Sequence, residues 1–231
     1  MSGILGLIGA MDEEIKLLLQ SMENKQTTVK AGISFYEGTV FGRQAVVCKS
    51  GVGKVNAAVT TQILLDHFGV VQVLFTGVAG ALHPELAIGD IVISSRCIQH
   101  DMDASALGYA RGMIPYQEVS VFEADPVLVQ LAEQACRELD QKSVTGIVLS
   151  GDQFIASRTA VAALREELDG ACAEMEGAAV AQVCYMNSVP FVIVRSMSDK
   201  ADGSAHVNYT DFTVTASQHS HAILEHMIKA M

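Results

Sequence analysis

Short apolar runs alternate with amphipathic stretches along the whole chain. Residues 4–9 (ILGLIG) are almost wholly apolar and predict a buried strand. Over 12–22, Ile15, Leu18, Leu19 and Met22 recur at helical spacing and predict an amphipathic helix. Residues 33–40 and 44–50 read as a hairpin around Phe41-Gly42-Arg43. A helix follows over 54–68, then a strand over 70–76 that runs into a Gly77–Gly80 turn, and a strand over 89–94. Residues 96–122 show weak periodicity and predict a long functional loop. Helices are expected over 126–139, 158–168, 176–186 and 209–230, with strands over 144–149, 171–175 and 190–197.

Alternation of this kind, with strands that are nearly all apolar, predicts an α/β fold. Its central sheet is twisted, mostly parallel or mixed, and flanked by helices. No repeat, low-complexity tract or long linker divides residues 1–231, so one domain is expected. Half of the chain is hydrophobic and the mean hydropathy is +0.31. No uncharged apolar run reaches the roughly 18 residues of a membrane helix. A large core and an apolar oligomer interface are the expected explanation.

The opening lacks a basic segment, and Asp12-Glu13-Glu14 follows at once, which argues against a secretion signal. Fifteen Lys and Arg against 26 Asp and Glu give a net charge of −11, which excludes a basic nucleic-acid face. The five scattered cysteines form no CxxC pair and read as reduced, buried thiols of a cytoplasmic protein.

In folds of this class ligands bind outside the carboxyl ends of strands. Three acids fall just past strand ends: Glu14, Glu176 and Asp199. Singly, Glu14 and Glu176 could be first-turn acids that complement a helix dipole. Together, three carboxylates in one apolar cleft would push their pKa values apart and create both an acid and a base. Glycosidic bond hydrolysis needs that division, and anionic groups also stabilise a cationic sugar transition state. Arg195 stands among apolar neighbours on the last strand and must be paired, either with a core acid or beside Glu14 and an attacking water.

Other patterns fail on inspection. Ser50-Gly51-Val52-Gly53-Lys54-Val55 lacks the first glycine and the Ser/Thr of a phosphate loop. It also lacks the third glycine of a dinucleotide fingerprint, which leaves little room for an oxidoreductase. It reads as a tight strand-to-helix turn that lets backbone approach a ligand. His100 and Asp103 read as polar loop residues, so no metal is expected. His219, His221 and His226 read as a solvated helix face.

Several segments resemble bacterial methylthioadenosine/S-adenosylhomocysteine nucleosidases of the nucleoside phosphorylase superfamily. They are Ile8–Glu14 (IGAMDEE), 50–55 (SGVGKV), 89–94 (GDIVIS), 150–155 (SGDQFI), 174–176 (EME) and 195–199 (RSMSD), in family order over the whole chain. The resemblance implies a nucleoside phosphorylase-like fold, a homodimer, no cofactor, and a small nucleoside plus water as ligands. The substrates implied are methylthioadenosine and S-adenosylhomocysteine, with 5′-deoxyadenosine as a further one.

It also implies roles. Asp199 would protonate ring nitrogen 7 of adenine, supported by Ser198. Glu14 would be the general base on water with Arg195 nearby, and Glu176 would bind ribose hydroxyls. Met175 would pack on the sugar, Phe154 would stack on adenine, and Ile155 would read its edge through backbone. Met11 and Val52 would line the sugar and the 5′ region, Tyr209 would wall the 5′ pocket, and the partner subunit would close it through the loop around Leu107 and Pro115. Two positions depart from the family pattern. Val78 stands where a serine is usual, which removes a hydroxyl at the sugar or water site, and Leu107 stands where an aromatic is common.

Superfamily members that use phosphate in place of water carry an arginine in the first strand-to-helix turn. Here that turn holds three acids, and the first arginine is Arg43. Repulsion of a dianion there would cost on the order of a few kcal/mol in a desolvated site, which favours water. A phosphorylase and a non-catalytic nucleoside binder are the alternatives. The binder has no use for acids that repel in a cleft.

Overall fold

The computed structural model describes residues 3–199 and 205–231, with side chains throughout except in 205–213. The chain starts with β1 (Ile4–Gly9), α1 (Asp12–Gln20) and an antiparallel meander of β2 (Met22–Lys30), β3 (Ile33–Val40) and β4 (Arg43–Lys49). Next come α2 (Lys54–Phe68), the long β5 (Val70–Ala81), β6 (Ile91–Gln99) and the short β7 (Val121–Glu123). The remainder is α3 (Pro126–Glu138), β8 (Ser143–Ser150), α4 (Arg158–Leu168), β9 (Gly170–Glu174), α5 (Gly177–Met186), β10 (Phe191–Asp199) and α6 (Ala205–Ala230).

The described strands form one mixed sheet. β1 pairs in parallel with β4 and β5, and β10 pairs in parallel with β5. At its far end β5 changes neighbour: Gly80 and Ala81 pair antiparallel with β9. β9 continues through β8 and β6 back to β10, so this half of the sheet closes on itself. That closure gathers the ends of β5, β9 and β10 beside the end of β1. α6 packs against β5 and β10, flanked by α1 on β1, β4 and β5 and by α3 on β6, β8 and β10, while α2 and α5 pair with each other and rest on the sheet.

Local sequence explains the elements. β1 and β10 are almost continuously buried, as strands covered on both faces must be. Asp125 caps α3 by accepting from the Val127 and Leu128 N–H groups, with Pro126 in its first turn. Gly69 ends α2 in the left-handed conformation, with φ of 64°. All five cysteines are buried and free. Among the described residues no helix is long and apolar enough to cross a membrane.

Several boundaries differ from the sequence reading. Met22 opens β2, an edge strand the pattern did not suggest. Gly77–Gly80 is no turn, because β5 runs straight through it. β6 extends to Gln99 and β7 begins at Val121, which shortens the expected loop at both ends. Asp199 is the last residue of β10 and does not lie beyond it. His219, His221 and His226 are half-buried rather than solvated.

Candidate active site

A cleft of about 270 Å³ opens where β1, β5, β9 and β10 end, just under the roughly 300–1,000 Å³ of ligand pockets in general. Met11, Glu14, Val52, Val78, Phe154, Ile155, Met175, Glu176, Ser198 and Asp199 all line it, so the structure brings together ten of the residues singled out above. No Lys or Arg is among its described lining residues. Arg195 stands behind the cleft. Leu107 and Pro115 do not line it in this chain, and the Tyr209 side chain lies outside the described residues.

Glu14 occupies the first turn of α1 and is buried. Its Oε2 accepts from the N–H groups of Ala10 at 2.6 Å and Met11 at 3.0 Å, and its Oε1 accepts from Val78 N–H at 3.0 Å. Burial pushes the Glu14 carboxyl above its usual range. The Arg195 charge and the three N–H groups oppose that rise without cancelling it. The result is a carboxylate held in one orientation and more basic than a solvated one. Val78 contributes through its backbone, a donation that the missing hydroxyl leaves intact.

Arg195 is fully buried on β10. Its Nη2 pairs with Glu174 and lies 3.6 Å from Glu176 Oε2. The guanidinium carbon sits 4.0 Å from the centroid of the Phe75 ring. Nε and Nη1 have no hydrogen-bond partner among the described residues. A Cβ on Gly77 would collide with both Arg195 Nη1 and Glu14 Oε1, so this glycine lets the cation approach Glu14. Arg195 thus pairs with a core acid and also stands beside Glu14.

That core acid, Glu174, was not singled out from the sequence. It ends β9, accepts from Ser150 Oγ, and receives the Gly177 N–H at 2.8 and 2.9 Å and the Glu176 N–H at 3.3 Å. It thereby caps the start of α5, where the helix dipole favours an anion. Glu176 follows as the N-cap residue, and its Oε1 accepts from Gly53 N–H at 2.9 Å. Gly53, with φ of 99°, belongs to the tight turn before α2. Burial and the Glu174 charge push the Glu176 carboxyl up to about 8, against the pull of Arg195. One guanidinium among three buried carboxylates cannot neutralise them all, and Glu176 keeps the proton near neutrality.

Asp199 ends β10, buried opposite Gly80 in the β5 register. Its Oδ2 accepts from Ser198 Oγ at 2.9 Å. Phe154 and Val52 form half-exposed apolar walls at the mouth, 48% and 49% accessible. The cleft therefore offers apolar surface for a flat ring, a buried acid with a hydroxyl neighbour, a basic carboxylate, and a third carboxyl suited to sugar hydroxyls.

Residues 4–229 match the model of the phosphorylase superfamily. A 5′-methylthioadenosine/S-adenosylhomocysteine nucleosidase of Geobacillus kaustophilus is 43% identical over 97% of this chain and 96% of its own. The crystal structure of such a nucleosidase from Neisseria meningitidis, in complex with methylthio-immucillin-A, superposes with a TM-score of 0.96. It shares 37% identity, covering 99% of this chain and 100% of that one. Futalosine hydrolase of Helicobacter pylori superposes with a TM-score of 0.95 at 34% identity, covering 100% of this chain and 99% of that one.

Proposed function

The chain belongs to the phosphorylase superfamily and, within it, to the 5′-methylthioadenosine/S-adenosylhomocysteine nucleosidases, and from that premise we propose how its own residues divide the hydrolysis between them. Glu14 takes a proton from water as the water oxygen bonds to the sugar C1′. The bond from C1′ to adenine N9 breaks, and Asp199 delivers a proton to N7 of the leaving base. Adenine and a 5′-substituted ribose result. Glu176 holds ribose hydroxyls, Met175 packs under the sugar, Phe154 stacks on adenine, and Ile155 presents backbone to its edge. Ser198 orients Asp199, and Arg195 tunes Glu14. Met11, Val52 and Val78 line the sugar side.

The observation that carries this reading is the pairing of a basic, triply N–H-bonded Glu14 with a buried Asp199 in one cleft lined by no described cation. Among the described lining residues no Lys or Arg meets the charge of an anionic cofactor or phosphate, whereas an oxocarbenium-like sugar is met by carboxylates.

Methylthioadenosine, S-adenosylhomocysteine and 5′-deoxyadenosine share the adenine and ribose that these residues address, and all three are proposed substrates. The 5′ end would be walled by Tyr209 and by Leu107 and Pro115 of a second copy in a homodimer. Support for that assembly comes from the exposed apolar residues Val55 and Val59 on α2, Tyr185 and Met186 on α5, and Leu107, Met113 and Tyr116 in the loop.

The test is adenine release from methylthioadenosine by purified protein, with and without phosphate. Release indifferent to phosphate is expected. Release that requires phosphate, with a sugar 1-phosphate as product, would overturn the hydrolytic roles.

A further inference from the structure

Three residues that do not line the cleft form a closed ring of bonds beside its mouth. Lys54 opens α2, Asp101 follows the end of β6, and Asp152 lies in the turn after β8. Lys54 Nζ donates to Asp101 Oδ1 at 2.6 Å. The Lys54 N–H donates to Asp152 Oδ1 at 2.8 Å. The Asp152 N–H donates to Asp101 Oδ2 at 2.9 Å, which completes the ring. Lys54 Nζ also donates to Gln99 Oε1 at 3.0 Å, and Gln99 is itself held by Gln182 on α5.

This is no ordinary surface ion pair. The Lys54 and Asp101 side chains are only 18% and 15% accessible. Burial would raise the Asp101 carboxyl, but Lys54 and the Asp152 N–H hold it below its usual range. Its base is closely packed as well. His100 is fully buried, and a Cβ on Gly151 would come within 2.5 Å of its Nε2, so the turn after β8 sits tightly on the end of β6.

Two of the three ring members stand two residues from the mouth walls. Val52 precedes Lys54, and Phe154 follows Asp152. Both walls are about half exposed, so packing supplies only part of what holds them. The Gly53 N–H that reaches Glu176 lies between Val52 and Lys54.

We propose that Lys54, Asp101 and Asp152 act as positioning residues, a clamp that fixes the Val52 and Phe154 walls relative to one another and thereby sets the affinity for the nucleoside. The proposal rests on the reading of this cleft as the nucleoside site. Walls that touch base and sugar before and during bond breaking contribute equally to ground state and transition state. Loosening them therefore raises KM and leaves kcat in place.

The test compares Lys54→Met, Asp101→Asn and Asp152→Ala with wild type, using methylthioadenosine. Lys229→Met, which cuts the Lys229–Glu225 pair of α6, 58% and 30% accessible and away from the cleft, is the control. Asp152 is exposed, so its variant carries the test if the other two fail to fold. A rise in KM of about three- to tenfold, with kcat changed less than about twofold, is expected for the clamp variants, and Lys54→Arg should recover most of it. The control should match wild type. Unchanged KM, or a fall in kcat at constant KM, would overturn the clamp whatever happens to thermal stability. The chain has no tryptophan, so Phe154→Trp gives a single reporter that needs no turnover. Acrylamide quenching of that residue should rise when Lys54→Met or Asp152→Ala is added, and equal quenching also overturns the proposal. If wild type released no adenine the nucleosidase reading would fail, and quenching alone would decide the clamp.

Discussion

Arg195 and Glu174 pair through Nη2 and a carboxylate oxygen, with both side chains almost closed to solvent. Glu176 Oε2 stands 3.6 Å from the same nitrogen, and Glu14 lies near the other end of the guanidinium. Buried ion pairs of this kind contribute little net stability relative to an apolar replacement of the whole set. Removing one member alone leaves charge stranded in a dry interior. Arg195→Met should therefore destabilise the fold by about 3–5 kcal/mol, read as a shift of the urea midpoint at constant slope. Arg195→Lys keeps the charge without the fork and should lose less stability. Equal stability of wild type and the methionine variant would mean that the carboxylates are not charged as a set.

The proton on Glu176 predicts an unusual pH dependence of stability. In the unfolded chain this carboxyl titrates near 4.5, and in the folded protein at about 8. Between those values the folded state holds a proton that the unfolded state does not. Stability therefore declines as pH rises across that window and levels off above about 8. Glu176→Gln should flatten this decline, so that the variant gains on wild type as pH rises. Urea midpoints at pH 5, 7 and 9 check it, and parallel curves for the two proteins would contradict the assignment.

Asp199→Asn should lower kcat by about 10²–10⁴-fold, the usual worth of a general acid, because the amide has no proton to deliver to the leaving base. Ser198 Oγ can still bond to the amide oxygen, so the fold should be unaffected. Adenine release followed at its absorbance, beside a thermal melt, separates the two effects. Turnover near that of wild type would remove Asp199 from the mechanism.

The strand and helix order was legible because buried parallel strands read as continuous apolar runs, and three of the ten cleft residues, Glu14, Glu176 and Asp199, were legible because the cleft lies where strands end; the other seven came from the family resemblance. β2 was not legible. Only Met22 at its start is buried, and the rest is a polar edge whose ladder comes from β3 and not from its own pattern. Glu174 was overlooked because attention went to residues past the strand ends, whereas it closes β9 itself. A signal was present: it is the one acid in Gly170-Ala-Cys-Ala-Glu174, and the demand for a partner that singled out Arg195 applies to it equally. The ring through Lys54, Asp101 and Asp152 depends on three loops meeting in space, which no local spacing encodes.

Gly77 was read as part of a turn, since glycine so often marks one, and the structure gives it a different use. Its backbone continues β5, paired with Arg195 across the strand, and has no need of a left-handed conformation. What it lacks is a side chain, and that absence is filled by Arg195 Nη1 and Glu14 Oε1. Gly77→Ala therefore sets a methyl group against both the guanidinium and the proposed base. Neither partner can swing aside freely: Glu14 is held by three N–H groups and Arg195 by Glu174. Displacing Glu14 by even about 1 Å should cost about 10²-fold in kcat. Loss of stability should accompany it, as overpacking of a filled interior costs about 1–3 kcal/mol. Two measurements on this variant, kcat and the urea midpoint, test the placement together. If alanine were accepted with both unchanged, Arg195 and Glu14 would have room that this close approach denies them, and the coupling of cation to base would have to be given up.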